Sequence, residues 1–280
     1  MTPVHEVRYQ DLLSSPTVTA LCAGYELKNW RTEALADDIF HRHLASFALS
    51  FTDFNEINGE TAAKALKKAA SAVYTTDKYG RRGEFGELLL HAATRDFFGA
   101  QPAISKLHFK DSSNDTVKGF DCVHLVDNGK EPELWVGEVK FYSDLTKAIY
   151  DSTKELTDHL APEFLRREFI AITNKLDRAW PHAEAVSMML DSARSLDQIL
   201  PHLVIPVMLT YNSPTVAVHD AVAEEYIAAL RAEANDGWTK FCDKLDLPVN
   251  VVLHLILVPL LSKDALQEVL HSKLKAWQNL

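Results

Sequence analysis

Cysteine is scarce in this sequence. Three residues of 280, Cys22, Cys122 and Cys242, are odd in number and far apart. That excludes a disulfide framework and a cysteine-based zinc site, and it points to a reducing cytoplasm. Long hydrophobic runs are also lacking. The longest, residues 249–261, is interrupted by Asn250, His254 and Pro259 and is too short to span a bilayer, so no membrane segment is expected. The first ten residues carry His5, Glu6 and Arg8, and no apolar core follows, so no secretory signal is expected. Positive charge is in deficit: 29 Lys and Arg stand against 39 Asp and Glu, for a net charge of −10. A stand-alone nucleic-acid binder normally neutralises phosphates with Lys and Arg. Here the basic residues must be gathered locally, or a partner must hold the nucleic acid, or both. No Walker-type Gly-rich loop, Gly-x-Ser-x-Gly elbow or His-Glu-x-x-His helix occurs, which argues against ATP hydrolysis and those hydrolase classes. What remains is ordinary globular composition, 47% hydrophobic and 24% charged, without internal repeats or a long linker. The length suits one large domain spanning 1–280.

The chain is organised around residues 133–142. Trp135, Val136, Val139, Phe141 and Tyr142 dominate this stretch, and no proline interrupts it, so it reads as a strand. Alternation puts Leu134, Val136, Glu138, Lys140 and Tyr142 on one face and Trp135, Val139 and Phe141 on the other. A carboxylate and an ammonium near the end of an otherwise buried strand are costly to desolvate unless they have partners or a task. A second apolar strand, residues 119–126, lies upstream with Asp121 at its start. The connection from Asp127 to Pro132 contains Asn128-Gly129, a hairpin signal. Two antiparallel strands are therefore expected, with Asp121 brought near Glu138 and Lys140.

Residues 83–98 read as a helix stopped near Gly99. Phe85, Leu88, Leu89, Ala92 and Phe97 form its buried side, with Glu84, Glu87 and His91 on the other. Gly83 and Gly86 are poor helix formers in its first turn, so something is expected to approach the backbone closely. Before it, Lys64, Lys67, Lys68, Lys78, Arg81 and Arg82 form the most basic local stretch, either a phosphate contact or a solvated face. Residues 33–51 and 59–73 read as helices. His41 and His43, at i,i+2, do not share a helix face and are taken as structural or surface residues. Residues 4–18 are ambiguous, and 17–25 have the composition of a strand. Residues 104–110 read as a strand followed by a polar turn, with Lys106, Lys110 and Lys118 flanking the sheet.

After Tyr142, Ser143 or Asp144 caps a helix striped by Leu145, Ala148, Ile149, Leu156 and Leu160. Residues 162–200 are helical with a break at Pro181. Residues 203–211 form a strand in which Pro206 suggests an edge position or a bulge. Residues 221–245 are helical, 249–261 a strand buried on both faces, and 263–277 a closing helix. His124 reads as a core or sheet histidine. The expected fold class is α/β, a mixed sheet with helices on both faces. Strands and helices fill 1–80, the active-site core spans 83–160, and 161–280 adds helices with two further strands.

The pattern Asp121, hairpin, Glu138-Val139-Lys140 resembles the signature of the PD-(D/E)XK nuclease superfamily, the restriction-endonuclease-like fold. Gly119-Phe120 stands where a proline usually precedes the aspartate. The order helix–strand–strand–strand–helix–strand is similar to that core. Oxygen ligands suit Mg²⁺ or Mn²⁺, which activate water and neutralise charge on a phosphodiester undergoing cleavage. Asp121 and Glu138 are the candidate metal ligands, and Lys140 orients water and stabilises charge. The resemblance adds the Val139 carbonyl as a ligand and a glutamate from the preceding helix, Glu87, with Glu84 in reserve. The alternative is that Glu138 and Lys140 simply pair.

Gly83-Glu84-Phe85-Gly86-Glu87, Gly119-Phe120-Asp121 and Gly137-Glu138-Val139-Lys140, in this order, resemble the HamA family of Hachiman anti-phage defence systems. The resemblance implies a DNA nuclease effector in a bacterial cytoplasm and a stable partner, the superfamily 2 helicase HamB, which uses ATP and engages DNA. Such a partner would remove the need for a basic nuclease. A catalytically silent, nuclease-like DNA-binding or regulatory subunit is the competing expectation.

Overall fold

The structure, a computed structural model, describes residues 2–74, 83–104, 119–127, 129 and 131–280. Two N-terminal strands, β1 (Glu6–Asp11) and β2 (Thr17–Cys22), precede a small hairpin of β3 (Tyr25–Glu26) and β4 (Asn29–Trp30). Helices α1 (Thr32–Ala48), α2 (Phe51–Asn55), α3 (Ala62–Val73) and α4 (Glu84–Phe98) follow. Next come β5 (Gln101–Pro102), β6 (Cys122–Val126) and β7 (Glu133–Phe141). Helices α5 (Leu145–His159), α6 (Pro162–Lys175), α7 (Ala183–Met189) and α8 (Leu196–Ile199) lead to β8 (Leu203–Asn212). The short α9 (Pro214–Val218), α10 (Glu224–Cys242), β9 (Val252–Leu260) and α11 (Lys263–Gln278) complete the described elements.

Seven strands form one mixed sheet in the order β1-β2-β9-β8-β7-β6-β5. β6 and β7 are an antiparallel pair with Cys122 opposite Gly137, while β7, β8, β9 and β2 run parallel. The two central strands alternate cleanly. Leu203, Ile205, Val207 and Leu209 of β8 pack with α5, α6 and α7, whereas Met208 packs with α1, α4 and α11. β9 repeats this: Leu253, Leu255 and Leu257 face one side, Ile256, Val258 and Leu260 the other. This is how a period-two pattern buries both faces of a parallel strand. The result is three layers, helices on each side of the sheet.

Two expectations need correction, and one open stretch takes a definite form. Pro206 lies on a central strand, not at an edge. Pairing with β7 holds at Leu134–Leu203 and Trp135–Val204, then resumes at Glu138–Val207. At the skipped level the proline ring sits over Gly137, where an added Cβ would come within 3.2 Å of its Cγ. The ring is tolerated because a strand position without a side chain makes room for it. The helix expected over 33–51 stops at Leu49, and Ser50 caps α2 by accepting from Asp53 N. The ambiguous residues 4–18 contain an edge strand, β1, and β2 reaches β9 across the whole length of the chain. The strand expected at 104–110, its polar turn, the flanking Lys106, Lys110 and Lys118, the turn residue Asn128 and the basic Lys78, Arg81 and Arg82 lie outside the described residues. No helix among the described residues is long and apolar enough to cross a membrane.

Candidate active site

The hairpin of β6 and β7 places Asp121 just before β6, where its backbone N–H bonds Gly137 O at 2.8 Å. Its side chain turns back, and Oδ2 accepts from Val139 N at 2.8 Å. Asp121 is thus locked to the same strand that carries Glu138 and Lys140. All three, with Val139, line one cleft of about 1210 Å³. The cleft is bounded by the end of β7, by Gly83 ahead of α4, and by α5 and α6 through Glu155, His159, Phe164 and Glu168.

The electrostatics are unlike those of an ordinary surface pair. Glu138 and Lys140 are buried, and Lys140 Nζ donates to Glu138 Oε1 at 2.6 Å. Burial pushes the Glu138 carboxyl up to about 8, against the pull of Lys140. Burial works against the Lys140 charge, but Glu138 and Glu155 beside it raise its pKa and keep it protonated. Asp121 is raised well above the carboxylate range, by burial first and then by the charges of Glu138 and Glu87. Glu87, on α4, acts on Asp121 as a nearby charge, but neither it nor Glu84 is among the residues that line the cleft.

Helix α4 buries both its sides: Glu84, Glu87 and His91, opposite its apolar stripe, are buried too. The reason is packing on two sides. At Gly86 an added Cβ would lie 2.8 Å from Phe141 Cβ, so the helix sits directly on β7. On its other side α1 covers it, and His91 uses its ring nitrogens on Ser46 (3.0 Å) and on His124 of β6 (2.9 Å). The close approach expected at Gly86 is therefore the strand itself. His43 bonds Asp96 at 3.0 Å and His124 is buried, both in structural settings.

Several cleft residues escaped the sequence reading, Glu155 and His159 on α5 among them. Glu155 Oε2 accepts from Lys140 Nζ, and His159 Nδ1 lies 3.3 Å from Glu138 Oε2. His159 stacks on Phe164 at 4.4 Å between ring centroids. The signal was present as a Glu and a His four apart on the helix that follows the Glu-x-Lys strand. Glu168, on α6, is also buried there, and burial raises its pKa.

Among the described residues no three His, Cys, Asp or Glu side chains are gathered as a ready ligand cluster. The donor chemistry nonetheless suits a hard divalent cation. Asp121, Glu138 and Glu87 crowd like charges into a buried place, and Glu138 Oε2 is buried without a hydrogen-bond partner. A cation at these oxygens would relieve both penalties.

A comparison with family models matches residues 2–274 to the family described as HamA. No curated protein matches the chain.

Proposed function

The chain belongs to the HamA family, and from that premise we propose that it is the metal-dependent DNA nuclease of a Hachiman anti-phage defence system, controlled by the helicase HamB. Family membership implies a Hachiman component; the activity and its control are our reading. The observation that carries it is the buried Glu138–Lys140 pair opening into a cleft with Asp121 locked beside it. The element order supports a PD-(D/E)XK core. Helix α4 is followed by antiparallel β6 and β7, a helical crossover beginning with α5, and β8 parallel to β7.

In this reading Asp121, Glu138, the Val139 carbonyl and Glu87 hold Mg²⁺ or Mn²⁺. When bound, the ion lowers the pKa of water and neutralises charge on the phosphate. Lys140 keeps its proton, orients the attacking water by donating to it, and offers positive charge to the phosphate oxygens. Asp121 is held in place by Val139 N, so its position is set by the strand and not by solvent. Lys147, Arg167 and Lys263 stand at the cleft among more numerous acids, Asp144, Asp158 and Glu168 included, so they supply only part of the positive charge that a phosphate backbone needs. A helicase that grips DNA provides the remainder.

Plasmid degradation with Mg²⁺, with and without the helicase, tests the reading. Wild type should degrade DNA in at least one arm, and the Glu138→Ala plus Lys140→Ala protein in neither. Identical behaviour of the two proteins in both arms would favour a silent, DNA-binding or regulatory subunit.

A further inference from the structure

The Lys140 ammonium is shared between two carboxylates on different elements. It donates to Glu138 Oε1 at 2.6 Å on its own strand and to Glu155 Oε2 on α5. Each carboxylate gives Lys140 one oxygen, and the other oxygen of Glu138, Oε2, is buried without a hydrogen bond and faces His159 Nδ1 at 3.3 Å. An ammonium has three donors and can straddle both oxygens of one carboxylate. Glu155 accepts from the same Nζ and so competes with Glu138 for its donors.

The helix is built to hold that position. Asp144 caps α5 by accepting from Lys147 N at 2.6 Å. Ala148, Ile149, Ser152 and Leu156 are buried, which turns Glu155 and His159, four apart, toward the cleft. Glu155 is half exposed at the cleft wall, whereas Glu138 is almost fully buried.

We propose that Glu155 is a positioning residue. By holding Lys140 to one side, it leaves one Glu138 oxygen available to a divalent cation; it also meets the Glu138 carboxyl directly, and its effect on that cation runs mainly through Lys140. This rests on the nuclease reading above. Without Glu155, Lys140 collapses onto Glu138 and neutralises the ligand.

The test is Mn²⁺ binding to the full-length protein by calorimetry, without DNA, for wild type, Glu155→Gln, Lys140→Met and the double variant. Glu155→Gln should weaken Mn²⁺ binding about tenfold, the scale of one charged hydrogen bond. In the Lys140→Met background the same substitution should cost far less, because its effect runs mainly through the lysine. Glu155→Asp should recover part of the loss. A loss of equal size in the Lys140→Met background would make Glu155 a direct ligand or a bulk charge and overturn the proposal. So would a loss that merely tracks a fall in melting temperature. If wild type binds Mn²⁺ and Glu155→Gln binds it as well, the positioning role alone falls. If wild type binds no Mn²⁺, the metal-dependent reading falls with it.

Discussion

Substituting Gly86 by alanine sets two known effects against each other. Gly86 lies in the first turns of α4, and an alanine inside a helix is favoured over glycine by about 1 kcal/mol. At a site with room, the variant would therefore be more stable than wild type. Here the added Cβ would stand 2.8 Å from Phe141 Cβ and 3.2 Å from Val139 Cγ2. Phe141 Cβ is fixed to its backbone, so no rotamer change removes the clash. The helix must lift from β7 by roughly half an ångström, and overpacking of this kind costs about 1–3 kcal/mol. The expected net result is a loss of about 0–2 kcal/mol in urea unfolding.

The same lift moves Glu87, the next residue, away from Asp121. Reactions that depend on placed groups lose about a hundredfold per ångström of misplacement. Plasmid cleavage by Gly86→Ala should then fall by about one to two orders of magnitude, far more than the stability change explains. A variant stabilised by about 1 kcal/mol would show that α4 does not rest on β7 as described. A destabilised variant with wild-type cleavage would remove Glu87 from the site while leaving the packing intact.

Glu138→Gln should stabilise the cation-free protein. The folded carboxyl keeps its proton up to about pH 8 and the unfolded one only to its ordinary 4.5. The folding penalty is absent below pH 4.5, grows as pH rises and is full above 8, on the order of 3 kcal/mol at pH 7. Urea midpoints with EDTA at pH 5 and pH 8 check this, and a constant gap between variant and wild type would refute it. His124 titrates the other way. Burial lowers it to about 3, so the stability it allows is present above pH 6.5 and is lost as pH falls toward 3. Moving from pH 7 to pH 5 should narrow the advantage of wild type over His124→Gln by about 2 kcal/mol. Gly137→Ala should destabilise by about 1–3 kcal/mol, because its Cβ would meet Cys122 Sγ at 2.5 Å, Leu90 Cδ2 at 2.8 Å and Pro206 Cγ at 3.2 Å. Adding Cys122→Ala should return part of that loss in the same unfolding assay.

Strand β7, its hairpin with β6 and the helix over 84–98 were readable in the sequence because their signals are local. Alternating side chains, a turn-rich connection and a terminal glycine depend on neighbours within a few residues. Contacts between distant segments left no such trace. The side of α4 that carries Glu84, Glu87 and His91 is buried as well, His91 against Ser46 of α1 and His124 of β6, and no periodicity in α4 announces that cover. Pro206 obeys the rule that proline cannot donate, yet it sits centrally because Gly137, on another strand, gives it space. The sequence does not single out Glu155: a Glu four residues before a His on a helix does not by itself mark a site. Its part in the cleft depends on Lys140 reaching out of the sheet, which a one-dimensional pattern does not contain.

The cleft also runs against the ordinary logic of ion pairing. In a typical salt bridge the partner holds the carboxylate below its usual range, and the pair adds to stability in neutral solution. Here Lys140 lies 2.6 Å from Glu138, yet burial still outweighs it and drives that carboxyl up. Asp121 is driven up as well, partly by Glu138 and Glu87 themselves. Two buried acids that repel each other weaken a bare fold, and apolar residues would fill the same space at lower cost. Such an arrangement is favourable when a positive ion shares the site, because the same crowding of oxygens then becomes attraction. Divalent cations should therefore raise the melting temperature of wild type more than that of Glu138→Gln, and equal shifts for the two proteins would mean that the acids serve the fold alone.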